Sequence, residues 1–196
     1  MPTRTIRTVL QARGPELILE AALIVFAVLV ALAVDEWNEG REFRELAEIA
    51  RMAVMAELKG NQDELETSAP TVQAILDEVT DVVQRLEAGE MVTEARLSGE
   101  LPDFSDAAWE TARATGSMAR MDYEWVLRTA RVYETQELTL DLQRDLLVTF
   151  GNLAVREPDL NRFTDFRGQL VVLIMLHRAL SERYAEVVGQ PEPPGS

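Results

Sequence analysis

The chain has 196 residues, of which 47% are hydrophobic, and it carries 34 Asp and Glu against 19 Lys and Arg, for a net charge of −15. These totals exclude general disorder, and the charge works against nucleic acid or anionic headgroups as partners of the main body. Cysteine is absent, which removes disulfides and thiolate chemistry without diagnosing a compartment, and the abundance of Ala, Leu, Glu and Arg favours helix.

The first fifteen residues contain Arg4, Arg7 and Arg13 and no acid. Leu17 to Val34 then form eighteen positions with a single charge, Glu20. Eighteen helical residues rise about 27 Å, close to the roughly 30 Å hydrocarbon core of a bilayer. Residues 17–34 are therefore predicted to be a transmembrane helix in contact with the lipid bilayer. Arg41, Arg44 and Arg51 follow the span, so counting basic residues nearly ties the two sides. Moving the arginine tail outward would oppose the membrane potential by about 2.3 kcal/mol per charge per 100 mV, so residues 1–16 are read as a cytoplasmic tail. The competing reading is a cleaved leader, because Ala31-Leu32-Ala33 fits an A-x-A cleavage pattern. Against it stand Glu16, Glu20 and a helical pattern that continues without turn residues past the cut.

Glu20 has two readings. It can snorkel toward headgroups from one turn inside the interface, or it can face a partner helix. Glu20, Ala27 and Ala31 are spaced by seven and four, which places them on one face, and Ala27-x-x-x-Ala31 is a small-residue pair that admits close helix packing. Trp37 lies just past the span, where an amphipathic ring suits the interface.

Helical periodicity continues through Phe43, Leu46, Ile49, Val54, Leu58 and Leu65. The spacing predicts one helix from Pro15 to about Thr67, about 80 Å long at 1.5 Å per residue. Ser68-Ala69-Pro70 is expected to break it and open a second helix that ends at Gly89. Residues 89–104 read as a loop. Ser105 reads as the N-cap of a short helix stopping at Gly116. Ser117 opens a long helix to about Ala154, with Met121, Trp125, Val126, Tyr133, Leu138, Leu142, Leu146 and Leu147 inward. Pro158 and Asp159 restart a last helix that ends near Gly189. Its Leu170–Leu176 run is too short to span a membrane and reads as central core. The Pro-rich residues 190–196 read as a disordered tail. The expected fold is thus all-α: one N-terminal transmembrane helix continuing into a long helix that packs in an extramembrane helical bundle over 35–189.

Two stretches carry a resemblance. Glu20 is followed by an apolar run and then Trp37-Asn38-Glu39, and further on comes Glu57-Leu58-Lys59-Gly60-Asn61. The pattern resembles a family of uncharacterised bacterial single-pass membrane proteins with an N-terminal anchor helix ending in Trp-Asn-Glu, over about residues 16 to 66. Beyond that, Trp109 and Tyr133 stand where the family has aromatic positions, and Ala27 replaces its usual Gly. The resemblance implies a membrane-anchored helical domain and no particular chemistry.

No catalytic signature is present. His177 is the one histidine, and Ile174 stands where Glu-x-x-His would need an acid, so neither a di-iron bundle nor a His/Cys zinc site is written in the chain. His177 reads as a bundle residue. There is no P-loop, dinucleotide fingerprint or G-x-S-x-G. Trp109, Trp125 and Tyr133 read as core anchors, with a ligand pocket as the alternative. No metal, cofactor or enzymatic activity is expected. The expectation is a non-enzymatic accessory or scaffold subunit of a larger bacterial inner-membrane complex, its domain periplasmic. Its partners would be other membrane subunits or a second copy. The alternative is a periplasmic ligand-sensing bundle that signals through a partner.

Overall fold

The computed structural model describes residues 5–92, 99–154 and 158–189, with side chains from Leu19 onward except that of Ala154. Every regular element among them is helical: α1 (Thr5–Glu87), α2 (Ala107–Ala114), a single 3₁₀ turn (Ser117–Arg120), α3 (Tyr123–Ala154) and α4 (Leu160–Val188). The chain divides into two units, Met1–Leu46 and Ala47–Ser196.

In the first unit α1 begins at Thr5, ten residues before the expected start at Pro15. Leu19, Leu23, Ile24, Val25, Phe26, Val28, Leu29, Val30, Leu32 and Val34 are all exposed. Among the described residues no helix is long and apolar enough to cross a membrane. The span expected over 17–34 needs Leu17 and Ile18, whose side chains fall outside the description. The described remainder, Leu19 to Val34, rises about 24 Å, short of a roughly 30 Å core. Asp35 and Glu36 follow at once.

The second unit is built on three long helical segments. Val54, Leu58 and Leu65 of α1 join Trp125, Val132 and Tyr133 of α3 and Leu180, Tyr184 and Val187 of α4 in one core cluster. Val72, Val79, Val82 and Val83 of α1 join Leu146 and Leu153 of α3 and Phe163, Phe166, Leu170 and Leu173 of α4 in another. Rising residue numbers in α1 and α3 match falling ones in α4. So α1 and α3 run in the same direction and α4 runs against both. Parallel neighbours cannot be joined by a short turn. From Glu87 back to Glu57 is about 45 Å of helix, which takes at least about 14 extended residues. The described parts of the connecting segment lie along that path. Val92 joins the core cluster that holds Val79 and Val83. A Cβ on Gly99 would come 2.5 Å from Thr71 Cγ2. Ser105 hydrogen-bonds Glu57 and Asn61. Gly116 then takes a left-handed φ of 73°, which favours glycine, and turns the chain toward α3.

Several expectations are corrected. The helix does not break at Pro70; α1 passes through it to Glu87. Pro70 is exposed, while Leu65, Ser68 and Val72 keep one continuous buried face, so packing overrides the missing amide. Thr67 and Ser68 hydroxyls donate to the Asp63 and Leu65 carbonyls just before it. Replacing Pro70 with Ala is expected to raise stability by about 1–2 kcal/mol, since an interior proline opposes a helix by up to about 3 kcal/mol; a thermal melt reads this as a higher midpoint.

The N-cap of α2 is Asp106, not Ser105, and its side chain makes no capping bond. A 3₁₀ turn precedes α3, whose first turn is capped by Asp122 Oδ1 accepting from Trp125 N at 2.7 Å. Leu138 and Leu147, expected inward, are 56% and 59% exposed. Val171, Val172 and Met175 are exposed as well, so the Leu170–Leu176 run is core only at Leu170 and Leu173 among its fully buried positions. The last helix starts where Pro158 and Asp159 were expected to restart it, and Asp159 caps it, accepting from Arg162 N at 3.0 Å. The tail at 190–196 lies outside the described residues.

Candidate functional site

The densest polar chemistry of the second unit gathers where the returning segment meets α1. Glu57 projects from α1 beside the start of α2. Its Oε2 accepts from Ser105 Oγ at 2.7 Å and Ala108 N at 2.9 Å. Its Oε1 accepts from Tyr133 OH at 2.6 Å and Trp109 N at 3.3 Å. The carboxylate therefore caps α2 from a different helix, supplying the acceptor that Asp106 does not and placing negative charge at the helix's positive end.

One turn further along α1, Asn61 reads the Ser105 peptide in both directions. Its Oδ1 accepts from Ser105 N at 2.9 Å and its Nδ2 donates to Ser105 O at 2.7 Å. The same Nδ2 reaches Gln136 Oε1 at 3.1 Å. Gln136 Nε2 donates to Ser105 O at 3.1 Å, and Tyr184 OH donates to Gln136 Oε1 at 2.7 Å. Asn61, Gln136 and Tyr184 are buried, Tyr184 completely. Buried polar groups of this kind cost stability unless paired, and here each finds partners. One residue from each long helix thus holds the returning segment in a single register.

Trp109 stacks on Tyr133 with ring centroids 4.9 Å apart and planes 14° from parallel. Arg51 places its guanidinium 5.3 Å from the Trp125 ring, a cation–π contact at the first core cluster. An open groove of about 490 Å³ borders the stacked pair, lined also by Asp106, Glu110, Glu134, Glu137 and two arginines. Those arginines are committed to acids, Arg113 to Glu110 and Arg144 to Asp141, each at 2.7 Å.

The electrostatics suit a clamp rather than proton transfer. Burial alone would raise the Glu57 carboxyl, but the donors from Ala108, Tyr133, Ser105 and Trp109 outweigh it and hold the group below its ordinary value. Burial, and then the bond to Glu57, push the Tyr133 hydroxyl far up. A carboxylate already accepting four hydrogen bonds is a weak base, and a phenol bound to it is a weak acid. Among the described residues no three His, Cys, Asp or Glu side chains converge as a metal-binding set.

The residues singled out from the sequence fall in two places. Glu20, Ala27, Ala31 and Trp37 lie exposed on α1 in the first unit, Trp37 at 67%. Trp109 and Tyr133 come together in the clamp, while Trp125 is buried elsewhere in the same core cluster. Glu57 and Asn61 had entered only as letters of the Glu-Leu-x-x-Asn resemblance, and the structure brings both onto Ser105. Ser105 was expected to cap α2, whereas its hydroxyl donates to Glu57. Gln136 and Tyr184 were missed. The available signal was their helical spacing from core residues, Gln136 three after Tyr133 and Tyr184 four after Leu180. No family model matches this chain, and no curated protein or solved structure matches it either.

Proposed function

We propose that the chain is a membrane-anchored, non-enzymatic accessory or scaffold subunit whose helical domain serves a larger bacterial inner-membrane complex through helix packing. One observation carries the reading. From Leu19 to Val34 a helix exposes apolar side chains on every side, with Glu20 its one charge. A helix apolar all round needs an apolar surrounding, and lipid or a partner's helices are the surroundings a bare helix can find. Trp37 beside Asp35 and Glu36 fits the water-facing border of such a segment. The arginines of the N-terminal tail favour a cytoplasmic N-terminus and a periplasmic domain. The role of the domain is then mechanical: a locked bundle on a membrane tether, with Glu20, Ala27 and Ala31 available to a neighbouring helix.

The reading is tested by purifying the full chain in mild detergent and identifying what accompanies it by mass spectrometry. A membrane protein, or a second copy, recovered in stoichiometric amount is expected. A clean monomer, together with membrane assemblies unchanged in a strain lacking the chain, would contradict it.

A further inference from the structure

The Asn61/Gln136/Tyr184 layer has a second layer seven residues away along all three helices. Two turns on from Asn61 in α1 is Ser68, two turns on from Gln136 in α3 is Gln143, and two turns back from Tyr184 in α4 is His177. All three are buried, His177 at 6% exposure. The two layers differ in their hydrogen bonds. In the first every side chain is partnered. In the second, Gln143 Nε2 and His177 Nε2 are buried without a partner. The Ser68 hydroxyl is directed to the Leu65 carbonyl of its own helix at 3.1 Å.

Among its described residues the layer offers a protonated ring no negative charge. On α1 the nearest acids, Asp63, Glu64 and Glu66, face solvent. On α3 Asp141 and Arg144 are exposed and pair with each other at 2.7 Å. Glu100 and Asp103 of the returning segment and Arg178 of α4 itself are exposed too. Among the described residues no carboxylate is buried at this level to balance a cation. Accordingly, burial lowers the His177 imidazole from 6.5 to about 4.

We propose that the Ser68/Gln143/His177 layer is an acid-sensitive joint: a proton on His177 puts an unbalanced cation between the helices and loosens α4 from α1 and α3 there. The inference rests on the bundle and is independent of the membrane reading. Its sign follows from linkage. Between pH 6.5 and about 4 an unfolded chain takes up a proton that the folded chain refuses, so stability is full above 6.5 and drains away as pH falls through that window.

Because His177 is the sole histidine, its imidazole gives one NMR signal in the full chain held in mild detergent. The expected result is a signal that stays put from pH 7.5 to 5.5 and moves only near pH 4 to 5, together with loss of amide-exchange protection in α4. A midpoint near 6.5 with α4 protection unchanged would overturn the proposal. In parallel, the urea midpoint of the unaltered chain should fall between pH 6.5 and 5, and that of His177→Gln should stay level. Equal slopes in the two proteins would overturn it. Should the variant not fold, the NMR titration of the unaltered chain decides.

Discussion

Replacing Glu57 with Ala is expected to destabilise the bundle by about 3 kcal/mol, because it strips the acceptor from Ser105, Tyr133 and the Ala108 and Trp109 amides at once. Loss of a helix cap alone costs about 1 kcal/mol, and a hydrogen bond to a charged group contributes about 1.5–3 kcal/mol. Water reaches the half-buried carboxylate and can repair part of the loss, which keeps the figure below the simple sum. Glu57→Gln keeps one acceptor oxygen and should lose about half as much. The measurement is the urea midpoint at pH 7. The pH dependence follows from the same bonds. With its folded value held below the ordinary 4.5, Glu57 contributes stability that is present above pH 4.5 and lost as pH falls through the folded value. Unaltered protein should therefore weaken below pH 4.5, and Glu57→Gln should lose that part of the slope. The slope that Glu57→Gln retains between 6.5 and 4.5 is the one expected of His177, whose window opens at higher pH.

The helical class was legible because periodic apolar residues dominate the chain, and the ends of α4 were legible because Asp159 and Gly189 are local signals. Pro70 misled because a local breaker competes with a buried face that extends for turns on either side of it; only the third dimension shows which wins. Leu138 and Leu147 misled because the buried face of α3 steps by seven through Trp125, Val132, Thr139, Leu146 and Leu153; each leucine lies one position beside that row, and at Thr139 a polar residue holds the core place. The clamp was half legible. Glu57 and Asn61 lie four apart on one helix face, but their partner is a peptide 44 residues away in a segment with no periodicity. Nothing local marks Ser105 as the anchoring point of a crossover. That role follows from α1 and α3 running the same way, a fact of topology. The buried layers were written at a spacing of seven on three helices, yet their alignment depends on the direction of each helix.

The apolar segment of α1 supports the second large effect. Under the proposed anchoring, Phe26→Arg and Leu29→Arg introduced together should release the chain from the membrane fraction. Each arginine near the centre of a span costs roughly 2.5–3.5 kcal/mol, so the pair costs about 5 kcal/mol or more, enough to reverse insertion of a single helix. Both side chains are already exposed, at 67% and 58%, so the bundle over Ala47–Ser196 loses no described contact and should melt as before. That separation matters: loss of membrane association with the bundle intact isolates the segment's role, whereas retention of the double variant in membranes would assign binding to another part of the chain.

The most direct measurement is made on the unaltered protein. Membranes from cells producing the full chain are washed in alkaline carbonate, which strips peripherally bound proteins and leaves embedded ones, and the pellet and supernatant are compared. Recovery in the pellet, with release only by detergent, is the result expected of a chain whose exposed apolar helix lies in lipid. Recovery in the carbonate supernatant would contradict it.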